Sequence, residues 1–355
     1  MRFTNRPGVD DRLVLPRPHA RTGVASRSGN EDRCFEFSSK GDRTRSATRL
    51  GLRRQDIGGW EPMRRRTILF LLGAGASSLA VGMSLGQGES SPITLLNAPL
   101  EVQGEWGKSA PGAATAVIAR MREVCLAGVK LLSDQQPTGL RVENHGSGSP
   151  AIWLHNDSSR IGWIFVNIGE RDWSKLACQF GHELGHVLAN SWGPNSKPRR
   201  PCQWLEEALV EAFALRGLGK LADSWEQRPL FKNDAPFANA IRQYQRSAIE
   251  QYEKIASNQI RDSGVDAWFR QYRSALEDDG GITGPAQAVV PTVLHELETD
   301  ARNIEDMGAL NRWVERSAVP IERYLRLWKR SCDEIGAAGG LPKRLADLLR
   351  LRCAA

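Results

Sequence analysis

The sequence predicts an α+β chain: a small sheet near its middle, followed by a long run of helices. Three observations carry this expectation. Short runs rich in β-branched and aromatic residues, Leu140–Asn144, Ala151–His155 and Ile161–Ile168, are separated by turn-forming residues. Immediately after them, Trp173–Asn190 and Gln203–Leu218 carry apolar residues at helical spacing. From Pro229 to the end the spacing is helical throughout, broken at Gly280-Gly281 and Gly339-Gly340.

In chain order, residues 1–62 are rich in Arg, Ser, Gly and Asp without apolar periodicity, and are expected to be disordered or to come from a mis-assigned start. Residues 63–86 read as an export signal or a membrane anchor. Met63-Arg64-Arg65-Arg66 is a charged head, and the apolar run from Ile68 to about Leu85 follows it. Arg65-Arg66-Thr67-Ile68-Leu69 resembles a twin-arginine signal without its usual lysine. The run holds Gly73, Gly75, Ser77, Ser78, Gly82 and Ser84, which favours cleavage near Gln87 over a permanent span. The chain is thus expected to be exported, periplasmic or extracellular, touching a membrane only through residues 67–85 if uncleaved.

After an extended stretch from Ser90 to Gly107, Pro111 opens a helix running to about Leu132, with Val117, Met121, Val124, Gly128 and Leu131 on one face. Asn156-Asp157-Ser158-Ser159 reads as a hairpin turn between the second and third strands. Further helices are expected at Pro236–Ser257, Val265–Leu276, Pro285–Asn303, Gly308–Val319, Ile321–Ile335 and Leu341–Leu351. This divides the mature chain into a core, 90–220, and a helical domain, 221–355.

The formal charge of +7 belongs to the leader. Residues 1–86 carry 16 Lys+Arg against 8 Asp+Glu, leaving 32 against 33 in residues 87–355. A nucleic-acid partner is therefore not expected. Five cysteines follow Gln87, namely Cys125, Cys178, Cys202, Cys332 and Cys353, so at least one thiol stays free. A Cys332–Cys353 bridge is one pairing open to them. Cys178 lies one turn before His182 and is read as a small core residue.

The strongest chemical signal is His182-Glu183-Leu184-Gly185-His186, an H-E-x-x-H run inside a helical stretch. Histidines four apart share one helix face, close enough for both rings to meet one small cation. The intervening glutamate then stands beside the metal's open position. A catalytic zinc takes a third protein ligand and leaves a fourth position for water. The metzincin pattern would need glycine at 189 and histidine at 192, where Ala189 and Trp192 stand, and the next histidine is His295. A carboxylate from a second helix remains, and Gln203–Leu218 supplies Glu206, Glu207 and Glu211.

His182-Glu183-x-x-His186 followed after twenty residues by Glu207-x-x-x-Glu211 resembles the gluzincin metallopeptidases, the group that holds thermolysin-like enzymes and zinc aminopeptidases. Trp204-Leu205-Glu206-Glu207-Ala208 is similar to the W-L-N-E-G stretch of the aminopeptidase branch. That resemblance implies a gluzincin-like α+β fold with a small antiparallel or mixed sheet, active-site helices and a C-terminal all-helical domain. It implies one Zn2+ per chain held by His182, His186 and Glu207, with Glu211 holding a ligand histidine from behind. Glu211 departs from the Asp frequent at that position, and no G-x-M-E-N exopeptidase motif precedes the site.

The implied chemistry is zinc hydrolysis of a peptide or protein substrate, with Glu183 as general base. An oxyanion-stabilising group would come from downstream, the candidates being Tyr244, Tyr252, Tyr272 and His295. Tyr244 and Tyr252 also fit the apolar stripe of their helix, Ile241, Tyr244, Ala248, Tyr252 and Ile255. The strand before the active helix, Ile161–Ile168, is expected at the sheet edge, with Trp163 and Phe165 toward substrate. The competing readings are a gluzincin-like domain that binds peptides without cleaving them, and a zinc hydrolase of other substrates.

Overall fold

A computed structural model describes residues 94–351 apart from 107–110, 131–132, 147, 155–159, 194–195, 197–199, 261–262, 315 and 317. The leader segments 1–62 and 63–86, the Asn156–Ser159 turn and Cys353 lie outside the described residues. The described residues belong to one compact unit. They form a mixed α/β structure with a small four-stranded mixed sheet and mostly helices. The order is β1 (Leu100–Gly104), α1 (Pro111–Cys125), β2 (Gly139–Asn144), β3 (Ala151–Trp153), β4 (Ile161–Val166), α2 (Trp173–Leu188), α3 (Gln203–Gln227), α4 (Phe237–Gln259) and α5 (Gly264–Asp278). A 3-10 helix (Gly284–Val289) leads into α6 (Val290–Thr299), then α7 (Arg302–Gly308), α8 (Ile321–Ile335) and α9 (Gly340–Leu348). Among the described residues no helix is long and apolar enough to cross a membrane.

The sheet order is β1-β2-β4-β3. β1 and β4 both run parallel to β2, with Leu140 opposite Leu100 and Gly162, and β3 runs antiparallel to β4, with Trp153 opposite Trp163. β4 slots between β2 and β3, so it is an interior strand. This corrects the expectation that Ile161–Ile168 is the edge: the edge on that side is the three-residue β3. Of the two expected sheet types, antiparallel or mixed, the sheet is mixed, with three of its four strands parallel. β1 was hidden in the stretch read as merely extended, although its apolar residues Leu100 and Val102 alternate with Glu101 and Gln103. Leu140, Val142, Ile152, Ile164 and Val166 are buried on the inner face, against which α1 and α2 pack. On the outer face Arg141, Glu143, Trp153, Trp163 and Phe165 are half-buried.

α2 and α3 form the middle of the molecule, and almost every side chain of α2 is buried. Asp172 caps α2 by accepting from Lys175 N at 3.3 Å, and Asn190, with φ of 58°, ends it. α3 runs past its expected end at Leu218, through Gly217 and Gly219, because Leu221, Ala222 and Trp225 bury fully beyond them. Tertiary burial outweighs the glycine penalty of about 1 kcal/mol. Two small residues of α2 allow a close approach: a Cβ on Gly181 would lie 3.4 Å from Ala214 Cα, and one on Gly185 would lie 2.9 Å from Val210 Cβ.

Two helix expectations fail downstream. Pro285–Asn303 is not one helix but a 3-10 turn and α6, with α7 starting anew at Arg302. The expected helix Gly308–Val319 does not form: Gly308 ends α7, and the described residues after it are not helical, with Asn311 and Ala318 at left-handed backbone angles, φ 59° and 57°. Pro320 further disfavours a helical conformation at Val319.

Candidate metal centre

The close approach of α2 and α3 sets two histidines against three glutamates. His182, His186 and Glu207 bring one ligand atom each within 4.8 Å of one another, and all three are buried. Glu207 Oε2 stands 3.4 Å from His182 Nε2 and 3.5 Å from His186 Nε2. The ring centroids of the two histidines are 5.0 Å apart. Tetrahedral zinc bonds of about 2.0–2.1 Å set ligand atoms roughly 3.3 Å apart, so the two measured edges fit such an ion. His186 Nε2 makes no hydrogen bond despite its burial, which leaves its lone pair available.

The far nitrogen of each ring is fixed by a carboxylate. His182 Nδ1 lies 2.9 Å from Glu211 Oε2, and His186 Nδ1 lies 2.7 Å from Glu206 Oε1. An ionised carboxylate only accepts, so each Nδ1 donates and each Nε2 turns toward Glu207. Glu207 and Glu211 are one turn apart on α3 and share a face, whereas Glu206 is rotated about 100° from Glu207 and reaches the other histidine. Behind Glu211, the Tyr252 hydroxyl donates to Oε1 at 3.0 Å. Behind Glu206, Asn311 Nδ2 donates to Oε2 at 2.9 Å.

Glu183, Glu206, Glu207 and Glu211 are each no more than 3% exposed, and Arg316 stands 3.5 Å from Glu206 Oε2. Four buried carboxyl groups gathered this closely are an arrangement that a divalent cation would balance. Burial disfavours the charged form of His182, but hydrogen bonds to Glu207 and Glu211 outweigh it and its pKa is pushed up to about 10. Glu183 Oε2 is buried without a hydrogen-bond partner, one residue from His182.

The remaining sequence candidates stand elsewhere. Tyr244 is half-buried, and burial pushes its hydroxyl far up. Tyr252 is buried behind Glu211, and burial followed by the nearby Glu211 charge raises its hydroxyl well above the usual tyrosine value. Tyr272 is half-buried on α5. His295 is exposed on α6 and, among the described residues, shares no hydrogen bond with the cluster. Trp163 and Phe165 sit on the outer sheet face, 5.6 Å apart, with Trp153 5.7 and 5.4 Å from them and Arg141 over the Trp163 ring. Cys125, Cys178, Cys202 and Cys332 are free and buried, and burial pushes the Cys125 thiol up to about 12.

Sequence reasoning missed the roles of Glu206, Asn311, Arg316 and Tyr324. Glu206 was visible, but the resemblance selected Glu207 as the ligand and gave its neighbour no task. Asn311 is 105 residues from Glu206, in a segment that read as helix, and no spacing rule connects them. Compared with protein-family models, curated proteins and solved structures, the chain matches none of them.

Proposed function

We propose that this protein is a zinc-dependent hydrolase of peptide bonds, gluzincin-like in its site. The observation that carries the reading is Glu207 Oε2 standing 3.4 and 3.5 Å from Nε2 of His182 and of His186, with Glu183 in the same turn of α2 as the two histidines. His182, His186 and Glu207 would hold the ion, leaving one position for solvent or substrate. Zinc bound there would supply Lewis-acid polarisation of a carbonyl and a lowered pKa for water. Glu183 accepts the proton of the attacking water and passes it to the leaving amine. Glu206 and Glu211 keep both imidazoles turned so that Nε2 faces inward. Because a cation and a proton compete for His182 Nε2, metal loading is expected to release protons.

A peptide substrate is favoured by the sheet. β3 is an edge strand with one side unpaired within the described sheet, and such an edge recognises extended backbone largely irrespective of sequence. Export through the 63–86 signal is part of the same proposal, and a native protein that stays in the cytoplasm would count against it.

The test uses the full chain loaded with zinc and a mixture-based library of quenched fluorogenic peptides. Wild type is expected to cleave, and chelation to stop it. Glu183→Gln is expected to keep its zinc and lose cleavage. Cleavage by Glu183→Gln would remove Glu183 as the base, and a zinc-loaded wild type that binds peptides without cutting them would leave a binding domain.

A further inference from the structure

The support behind His186 reaches into the C-terminal third of the chain. Asn311 Nδ2, which donates to Glu206 Oε2, also reaches Ala189 O at 3.1 Å and Ser191 Oγ at 3.2 Å. Asn311 is itself held, since the Tyr324 hydroxyl donates to its Oδ1 at 3.0 Å. Arg316 Nη2 donates to Ser191 Oγ at 2.7 Å and faces Glu206 Oε2 at 3.5 Å, while its Nη1 donates to the Ser196 carbonyl. Ser191, Glu206, Asn311, Arg316 and Tyr324 are all buried.

A reciprocal clasp fixes the same segment. Asn190, just past the end of α2, donates through Nδ2 to the carbonyls of Gly308 and Leu310, each at 2.8 Å. Asn190 and Asn311 both adopt left-handed backbone angles, φ 58° and 59°, which asparagine tolerates better than most residues. Each side chain thereby bonds across to the loop that carries the other. The clasp lies one turn beyond His186 on α2.

We infer that Asn311, Arg316 and Tyr324 belong to the metal centre as its positioning residues, with Asn311 and Arg316 holding Glu206, Tyr324 holding Asn311, and Glu206 holding His186. The inference rests on reading His182, His186 and Glu207 as metal ligands. A glutamate that touches His186 through one oxygen alone is free to rotate about its last torsion. Donors on its second oxygen stop that rotation and fix the plane of the carboxylate, hence the direction of His186 Nε2. Three residues from a distant part of the chain thus set how tightly the ion is held. Loss of such outer hydrogen bonds typically weakens metal binding by about 10–100-fold.

The test measures zinc affinity on the full chain by competition with a fluorescent chelator. It measures thermal unfolding separately in excess chelator. Wild type is expected to bind one zinc, and Asn311→Leu and Arg316→Met to bind it about 10–100-fold more weakly, with Arg316→Lys recovering part of the loss. Cobalt-loaded Asn311→Leu is expected to show an altered visible absorption spectrum, which a purely structural role would not change. A wild type that binds zinc while Asn311→Leu and Arg316→Met bind it within about two-fold as tightly overturns the inference, even if both unfold at lower temperature. A wild type that binds no zinc overturns the metal reading itself, a distinguishable result that takes the inference with it. Should Asn311→Leu not fold, Tyr324→Phe decides by the same affinity measurement: weaker binding supports the positioning role, and unchanged binding overturns it.

Discussion

Replacing Gly185 with alanine places a methyl group where α2 and α3 come closest. Its Cβ would stand 2.9 Å from Val210 Cβ, 3.1 Å from Val210 Cγ1 and 3.2 Å from Phe213 Cδ1. Non-bonded carbons settle at about 3.5–4.0 Å, so the helices must part locally by roughly 0.6–1 Å. The Val210 Cβ is fixed by its own backbone and cannot swing aside. Overpacking of this kind costs about 1–3 kcal/mol, against a helix-propensity gain for Ala over Gly of about 0.8–1.0 kcal/mol. The net effect is a destabilisation of roughly 0–2 kcal/mol. Zinc affinity should suffer more, because His186 adjoins Gly185 and Glu207 lies one turn before Val210. Parting the helices lengthens the 3.4 and 3.5 Å edges beyond what one ion spans. Gly181→Ala is the control: its Cβ would meet Met121 Cε at 2.6 Å, the end of a flexible side chain, and Ala214 only at 3.4 Å. It should be near neutral in stability and retain zinc affinity. Urea denaturation and chelator competition on both variants decide the matter. Zinc binding impaired more by Gly181→Ala than by Gly185→Ala, or unchanged in both, would refute the reasoning.

Tyr252→Phe removes the donor to Glu211 Oε1 and leaves a buried carboxylate oxygen short of a hydrogen bond. Urea denaturation should show a loss of about 1.5–3 kcal/mol, and an unchanged midpoint would contradict that role. Arg312 grips Asp134 through two hydrogen bonds of 3.0 Å and holds its carboxyl below the usual carboxylate range. A depressed folded pKa gives stability that is present above the unfolded value, about 3.9, and fades as pH falls through the folded value. Asp134 is two-thirds exposed, so Asp134→Asn should cost at most about 1 kcal/mol at pH 7. The wild-type and variant stabilities should converge in acid, and a gap that widens as pH falls would reverse the assignment.

Much of the fold was legible because periodicity reports burial. α2 announced itself by apolar spacing that is buried on nearly every side, and α8 was expected over the Ile321–Ile335 range it occupies. The antiparallel β3–β4 pair was legible from the turn residues between the two strands, but the parallel pairing of β2 with β1 and β4 was not. The insertion of β4 between β2 and β3 is decided by the whole inner face packing on α1 and α2. At the site, residues within one helix turn of each other, such as His182 with His186 or Glu207 with Glu211, could be grouped from spacing alone. Tyr252 and Asn311 stand 41 and 105 residues from the glutamates they bind, so their contribution exists only in three dimensions.

The central claim is that His182, His186 and Glu207 hold a metal ion, and the most direct measurement is metal content. The full chain, purified without added chelator, is analysed by inductively coupled plasma mass spectrometry beside Glu207→Ala. The account predicts about one zinc per wild-type chain and a sharp loss in the variant, with both folded by circular dichroism. A well-folded wild type that holds no zinc, even after incubation with the ion, would contradict it.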